Sequence, residues 1–202
     1  MEQEKLLKAL KTRGFKPALF ASAEEAAQCV LSLIPAGASV GAGGSVTLTK
    51  MKLLERLAAA GHEVYSHATV AEEKRGEVYQ LASRADWYIS SANALSMSGE
   101  IVNIDGAANR VSALSFGVKN IIYVIGRNKI TPDLTSALER ARHKAAPPNA
   151  ARLNKKTPCA VTGECAFCNS PDCICNVTTI MHHPTKYQSA VHILIVEEDL
   201  GY

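Results

Sequence analysis

The chain has 202 residues, 47% of them hydrophobic, with 22 Lys and Arg against 19 Asp and Glu for a net charge of +3. That is enough to bury one sizeable core, while so small and dispersed a charge argues against a nucleic-acid partner. No apolar run approaches the ~20 residues that cross a bilayer, and Met1 to Lys16 is charged and amphipathic rather than signal-like, so a cytoplasmic protein with no membrane partner is expected.

Leu6, Leu7 and Leu10 recur at helical spacing up to Gly14, predicting a helix over residues 2–13, and a short strand is expected from Pro17 to Ala21. Ser22 with Glu25 has the form of a capping box and opens a helix to about Leu33. An apolar run, Ala38 to Gly41, then meets glycines, after which Leu48, Met51, Leu54 and Leu57 mark a helix ending near Gly61. Strands follow at Glu63 to Ser66, Asp86 to Ser90, Ile101 to Ile104 and Asn120 to Ile125, with helices over roughly 70–83, 108–115 and from Pro132 to Lys144 between them.

Strands alternating with helices in this way predict an α/β fold, a mostly parallel sheet with helices on both faces. Residues 1–146 form its main body. In residues 147–202 the texture changes: Pro147, Pro148 and Pro158 punctuate a basic linker, five cysteines crowd a loop, and two strand patterns near Asn176 to Met181 and Val191 to Glu197 predict a C-terminal β-hairpin completing the same domain.

Gly41, Gly43, Gly44 and Ser45 lie between a strand and a helix, where glycine lets the backbone approach a ligand and where exposed N–H groups favour an anion. The spacing does not fit the dinucleotide fingerprint, since the third glycine is misplaced, so a phosphate or carboxylate is the better expectation. Ser91 and Asn93 follow another strand, with Glu100, Asp105, Asn109 and Arg110 close behind. Glu100 and Asp105 could serve as base or nucleophile, Arg110 could hold a carboxylate or phosphate, and the amides could orient oxygen atoms. The same residues also read as a turn at Asp105 and Gly106 with Asn109 capping the next helix.

Taken together, the runs VGAGGS (Val40 to Ser45), SSANA (Ser90 to Ala94), GEIVNIDGAANRV (Gly99 to Val111) and GRNKI (Gly126 to Ile130) resemble the lactate-utilization (LUD) domain family over most of residues 25–145. The resemblance implies a fold akin to ribose phosphate isomerase and the CoA transferases, with Gly41, Gly43, Gly44 and Ser45 as the anion loop and Asp105 and Asn109 across the same crevice. It also implies a part in oxidising lactate to pyruvate alongside iron–sulfur protein partners.

Cys159, Cys165, Cys168, Cys173 and Cys175 lie outside that resemblance. In a reducing compartment such crowding points to metal before disulfides, and four thiolates suit either zinc or an iron–sulfur cluster. Cys173 and Cys175 would face opposite sides of an extended segment, so one of them would join Cys159, Cys165 and Cys168. Cys29, in an amphipathic helix, reads as a small core residue, and the histidines show no ligand spacing.

Two readings of function follow. In one, the chain takes part in lactate utilization or related hydroxy- and keto-acid metabolism, binding a small anionic metabolite of phosphate, carboxylate or CoA type at the glycine loop. In the other, it is a non-catalytic metabolite-binding or scaffold module whose cysteine-bound metal docks an electron-transfer partner. An RNA-binding zinc knuckle ranks last, because aromatic residues for base stacking are scarce near the cysteines.

Overall fold

The computed structural model describes residues 2–202. In chain order it places α1 (Glu2–Thr12), β1 (Lys16–Phe20), α2 (Ala23–Leu33), β2 (Val40–Ala42), α3 (Val46–Lys50), α4 (Leu53–Ala59), β3 (Val64–Ser66), α5 (Arg75–Ala82) and β4 (Trp87–Ser90). Then come β5 (Ala94–Ser96), β6 (Ile101–Asp105), α6 (Asn109–Ser112), β7 (Asn120–Gly126), β8 (Ile130–Thr131), α7 (Leu134–Arg140), α8 (Ala146–Arg152), α9 (Pro158–Thr162), β9 (Val177–Met181) and β10 (Ala190–Val196).

Six strands form one sheet in the order β1-β10-β7-β4-β2-β3, every neighbouring pair parallel. Period-two alternation along β7 divides the core. Ile121, Tyr123 and Ile125 pack with Leu6 and Leu10 of α1 and Ala82 of α5, whereas Ile122 and Val124 pack with Val30 of α2, Leu48 of α3 and Leu57 of α4. A strand covered on both faces must be apolar throughout, and each such side chain contributes roughly 1.5–3 kcal/mol of burial. Ser22 caps α2 as expected, its hydroxyl accepting from the Glu25 N–H at 3.2 Å, while the Glu25 carboxylate reaches back to the Ala21 N–H.

A second sheet, ordered β8-β5-β6-β9, rests on α7 and the turn after it through Ala94, Val102, Ile104, Ala137 and Ala141. Here the C-terminal hairpin expectation is corrected. β9 pairs antiparallel with β6 at the edge of this small sheet, and β10 lies between β1 and β7 in the large one. The cause is polarity. In β10, Val191, Ile193, Leu194, Ile195 and Val196 are all buried, as a central parallel strand requires, whereas β9 alternates half-buried and exposed residues.

The proline-punctuated linker is also corrected. Residues 134–152 run as helix, with a π-helical turn at Ala141–Ala145 after which Pro147 and Pro148 fall in the first turn of α8. Proline is tolerated there because first-turn N–H groups have no partner within the helix. The helix expected from Leu48 to Gly61 is two, α3 and α4, separated where Lys52 takes a left-handed φ of 51°.

Candidate functional site

Parallel strands gather their C-terminal ends along one edge of a sheet, where open α/β folds place their ligands. That edge carries a cavity of about 470 Å³. Its wall takes Gly44 to Thr47 from the end of β2, His67 from β3, Ser91 to Asn93 from β4, Lys129 from β7, and Gly201 and Tyr202 from beyond β10. Asp105 and Arg110 close one side, and Arg75, Arg152 and Lys155 stand on others.

Most of the residues singled out in the sequence meet here, with differing duties. Gly44 and Ser45 line the cavity, as do Ser91, Asn93, Asp105, Asn109 and Arg110. The Ser45 hydroxyl accepts from the Leu48 N–H at 3.3 Å and so caps α3. Gly41 sits back from the cavity: a Cβ there would collide with the Ala82 carbonyl of α5, so its lack of a side chain serves the approach of β2 to that helix. Gly43 is less constrained: a Cβ there would lie 3.2 Å from the Tyr88 hydroxyl and 3.3 Å from Arg110, close but not colliding.

The Arg110 guanidinium is held by the scaffold, donating to the Ser91 carbonyl (3.1 Å), the Ile104 carbonyl (2.8 Å) and Asn93 Oδ1 (2.9 Å). Asp105 Oδ2 accepts from the backbone N–H groups of Arg110 and Val111, both at 3.1 Å, and lies 3.8 Å from Arg110 Nε. The carboxylate thus fastens the start of α6, the task expected of Asn109.

Glu100 is placed elsewhere, and its expected position in the same crevice is corrected. It precedes β6 while Asp105 ends it, so roughly 16 Å of extended chain separates them at ~3.3 Å per residue. Its carboxylate pairs with Arg13 and accepts from the Ser96 hydroxyl and, at 2.6 Å, from that of Ser98. Burial opposes its ionisation, but these hydrogen bonds and Arg13 outweigh that and hold it below the ordinary glutamate range.

Sequence reasoning passed over Lys129, which is 4% exposed. Its Nζ donates to Thr47 Oγ1 at 3.0 Å and Ser91 Oγ at 2.9 Å, and no carboxylate pairs with it among the described residues. Burial, helped by Arg140, Arg110 and Lys50, lowers its amine to about pH 7. It falls three residues after the end of β7, so the rule about strand ends that drew attention to Ser91 applies equally to it. His67, which showed no ligand spacing in the sequence, packs at a tilt of 59° on Tyr79 with its Nδ1 buried and unpartnered, and burial followed by Arg75 lowers its pKa.

All five C-terminal cysteines are free thiols. Burial, then Cys173 and Cys165 nearby, push the Cys175 thiol up to about 12, while Cys159 Sγ lies 3.3 Å from the Thr157 hydroxyl. Among the described residues, no three Cys, His, Asp or Glu side chains are grouped so as to hold a metal ion. A metal at these cysteines therefore requires residues 159–175 to draw closer together than they lie here. Cys173 alone of the five lines the cavity.

No similar protein is found among curated sequences. Among solved structures, a DUF162 family protein from Deinococcus radiodurans is similar, at 14% identity and a TM-score of 0.56, with 96% of each chain covered. Translation initiation factor eIF2B beta from Chaetomium thermophilum gives 17% identity and a TM-score of 0.40 over 57% of this chain and 44% of its own. The Pyrococcus horikoshii OT3 eIF-2B gives 15% and 0.39 over 56% and 48%. The model of the LUD domain matches residues 3–196, nearly the whole chain, and the protein belongs to the LUD domain family.

Proposed function

We propose that the protein serves lactate utilization or related hydroxy- and keto-acid metabolism by binding a small anionic metabolite in the cavity at the strand ends. The observation that carries this reading is the imbalance of charge on the cavity wall, where Arg75, Arg110, Lys129, Arg152 and Lys155 face only Asp105 and Asp172. Inside a partly desolvated cavity that excess attracts a carboxylate, phosphate or CoA-type group far more strongly than on open surface. Arg110 is already committed to the scaffold, which leaves Arg152, Lys155 and Arg75 to meet the ligand from the rim and Gly44, Ser45 and Asn109 to shape its seat. In this reading Asp105 is the carboxylate that moves a proton.

Calorimetric titration with lactate, pyruvate, phosphate and acetyl-CoA tests the reading, with the double variant Arg152→Ala, Lys155→Ala as the comparison. Binding by at least one, weakened about tenfold or more in the variant, is expected for the loss of one to two kcal/mol of charge-assisted contact. Equal affinity in both proteins would remove the cationic rim from the site.

A further inference from the structure

The innermost part of the cavity is built around a lysine that no neighbouring anion neutralises. Lys129 Nζ has two hydrogen-bond acceptors, the hydroxyls of Thr47 and Ser91, both on the cavity wall. Thr47 spends its own hydroxyl hydrogen on the Leu200 carbonyl at 3.1 Å, so toward Lys129 it can only accept. A neutral amine has two hydrogens and one lone pair. The Thr47 oxygen engages one hydrogen, the Ser91 hydroxyl either accepts the second or donates to the lone pair, and no carboxylate among the described residues holds a third proton in place.

We infer that Lys129 is the nucleophile of this cavity, adding through Nζ to the carbonyl carbon of a small anionic carbonyl compound. This rests on the anion-binding reading above and names the substrate class. The lone pair forms the C–N bond while the carbonyl π pair moves to oxygen, which takes a proton released by the nitrogen and gives a carbinolamine. A second proton converts that hydroxyl to departing water and leaves a protonated imine, so the ammonium and the carbonyl compound give the protonated imine and one water overall. The low proton affinity of this buried amine, titrating at about 7, keeps a large share of it in the reactive form at neutral pH. The ligand's anionic group, carboxylate or phosphate, would meet the cations of the rim.

The test uses the intact protein at pH 7 with sodium cyanoborohydride and either pyruvate or dihydroxyacetone phosphate, followed by peptide mass mapping; binding of inorganic phosphate is measured in parallel by calorimetry. Reduced adduct at Lys129 at least ~10-fold above any other lysine is expected, because the free-amine fraction at pH 7 rises about tenfold for each unit the pKa falls. Phosphate should suppress it, and the more efficient of the two carbonyl compounds tells which anionic group the rim accepts. Phosphate binding with no preference for Lys129 would overturn the inference while leaving the anion site standing. Neither binding nor preferential labelling would overturn both.

Discussion

Lys129 carries a marked electrostatic burden, since its amine is buried against hydroxyls rather than a carboxylate. Its proton is held to about pH 7 in the folded protein and to an ordinary ~10.4 in the unfolded chain. Between those values only the unfolded chain binds the proton, so stability rises with pH across that window and the cost is fully present below it. Replacing Lys129 by Met removes the linkage. Denaturant melts at pH 7 and pH 10 should show wild-type stability gaining on the order of 2–4 kcal/mol relative to Lys129→Met over that interval. A constant difference would mean that the amine stays charged. Glu100 gives a slope at the other end of the pH range. Its carboxyl is lowered in the fold, so its contribution is present above the unfolded value of ~4.3 and is lost as the pH falls through the folded one. Acid melts of Glu100→Gln should lose less stability between pH 5 and pH 3 than wild type, and ligand binding at neutral pH should be unchanged because Glu100 lies off the cavity.

The loop between β2 and α3 shows how differently neighbouring glycines are used. Gly41→Ala drives a methyl into the backbone carbonyl of Ala82 and should cost roughly 1–3 kcal/mol by thermal melting, as overpacking does. A side chain at Gly44 meets only the His67 ring, at 3.4 Å, so Gly44→Val should keep most of the stability and instead weaken anion binding by filling the cavity. If Gly44→Val unfolds the protein, or stays folded and binds the anion as tightly as wild type, the division of labour is wrong. Such duties were not legible in the sequence, which shows glycines at a strand end but not the helix standing behind one of them. β1 to β4, β6 and β7 were legible as strands, whereas β5 and β8 were not, although β5 is fully buried. The partner of β9 was not, because an edge strand's register is set by β6 across more than seventy residues of chain. β10 is apolar except for His192, as a central strand requires, and adjacency in sequence, which suggested a hairpin with β9, proved the poorer guide. Pro147 and Pro148 read as a linker because the π-helical turn that admits them leaves no trace in residue type.

Across the molecule, a single parallel sheet explains why residues scattered from Gly44 to Tyr202 share one cavity: the carboxyl ends of β2, β3, β4, β7 and β10 all open on it. This rule drew attention to Gly44, Ser45 and Ser91 in the sequence, whereas Asp105 ends β6 of the second sheet and Arg75 and Arg152 come from helices whose docking only the fold determines. The cysteine segment borders the same cavity through Cys173, so its chemistry bears on the ligand site. We propose that it takes up zinc or an iron–sulfur cluster by closing residues 159–175. Elemental and visible-absorption analysis of anaerobically purified protein should then find close to one equivalent of zinc or the corresponding iron, reduced in Cys168→Ser, and metal-free protein with an unchanged spectrum in that variant would discard the idea. A crystal structure of the protein grown with inorganic phosphate decides whether an anion occupies the strand ends. Density for phosphate in the cavity, within hydrogen-bond reach of Arg152 or Lys155 and beside Gly44 and Ser45, is the predicted result; a clear cavity with phosphate ordered elsewhere on the chain would contradict it.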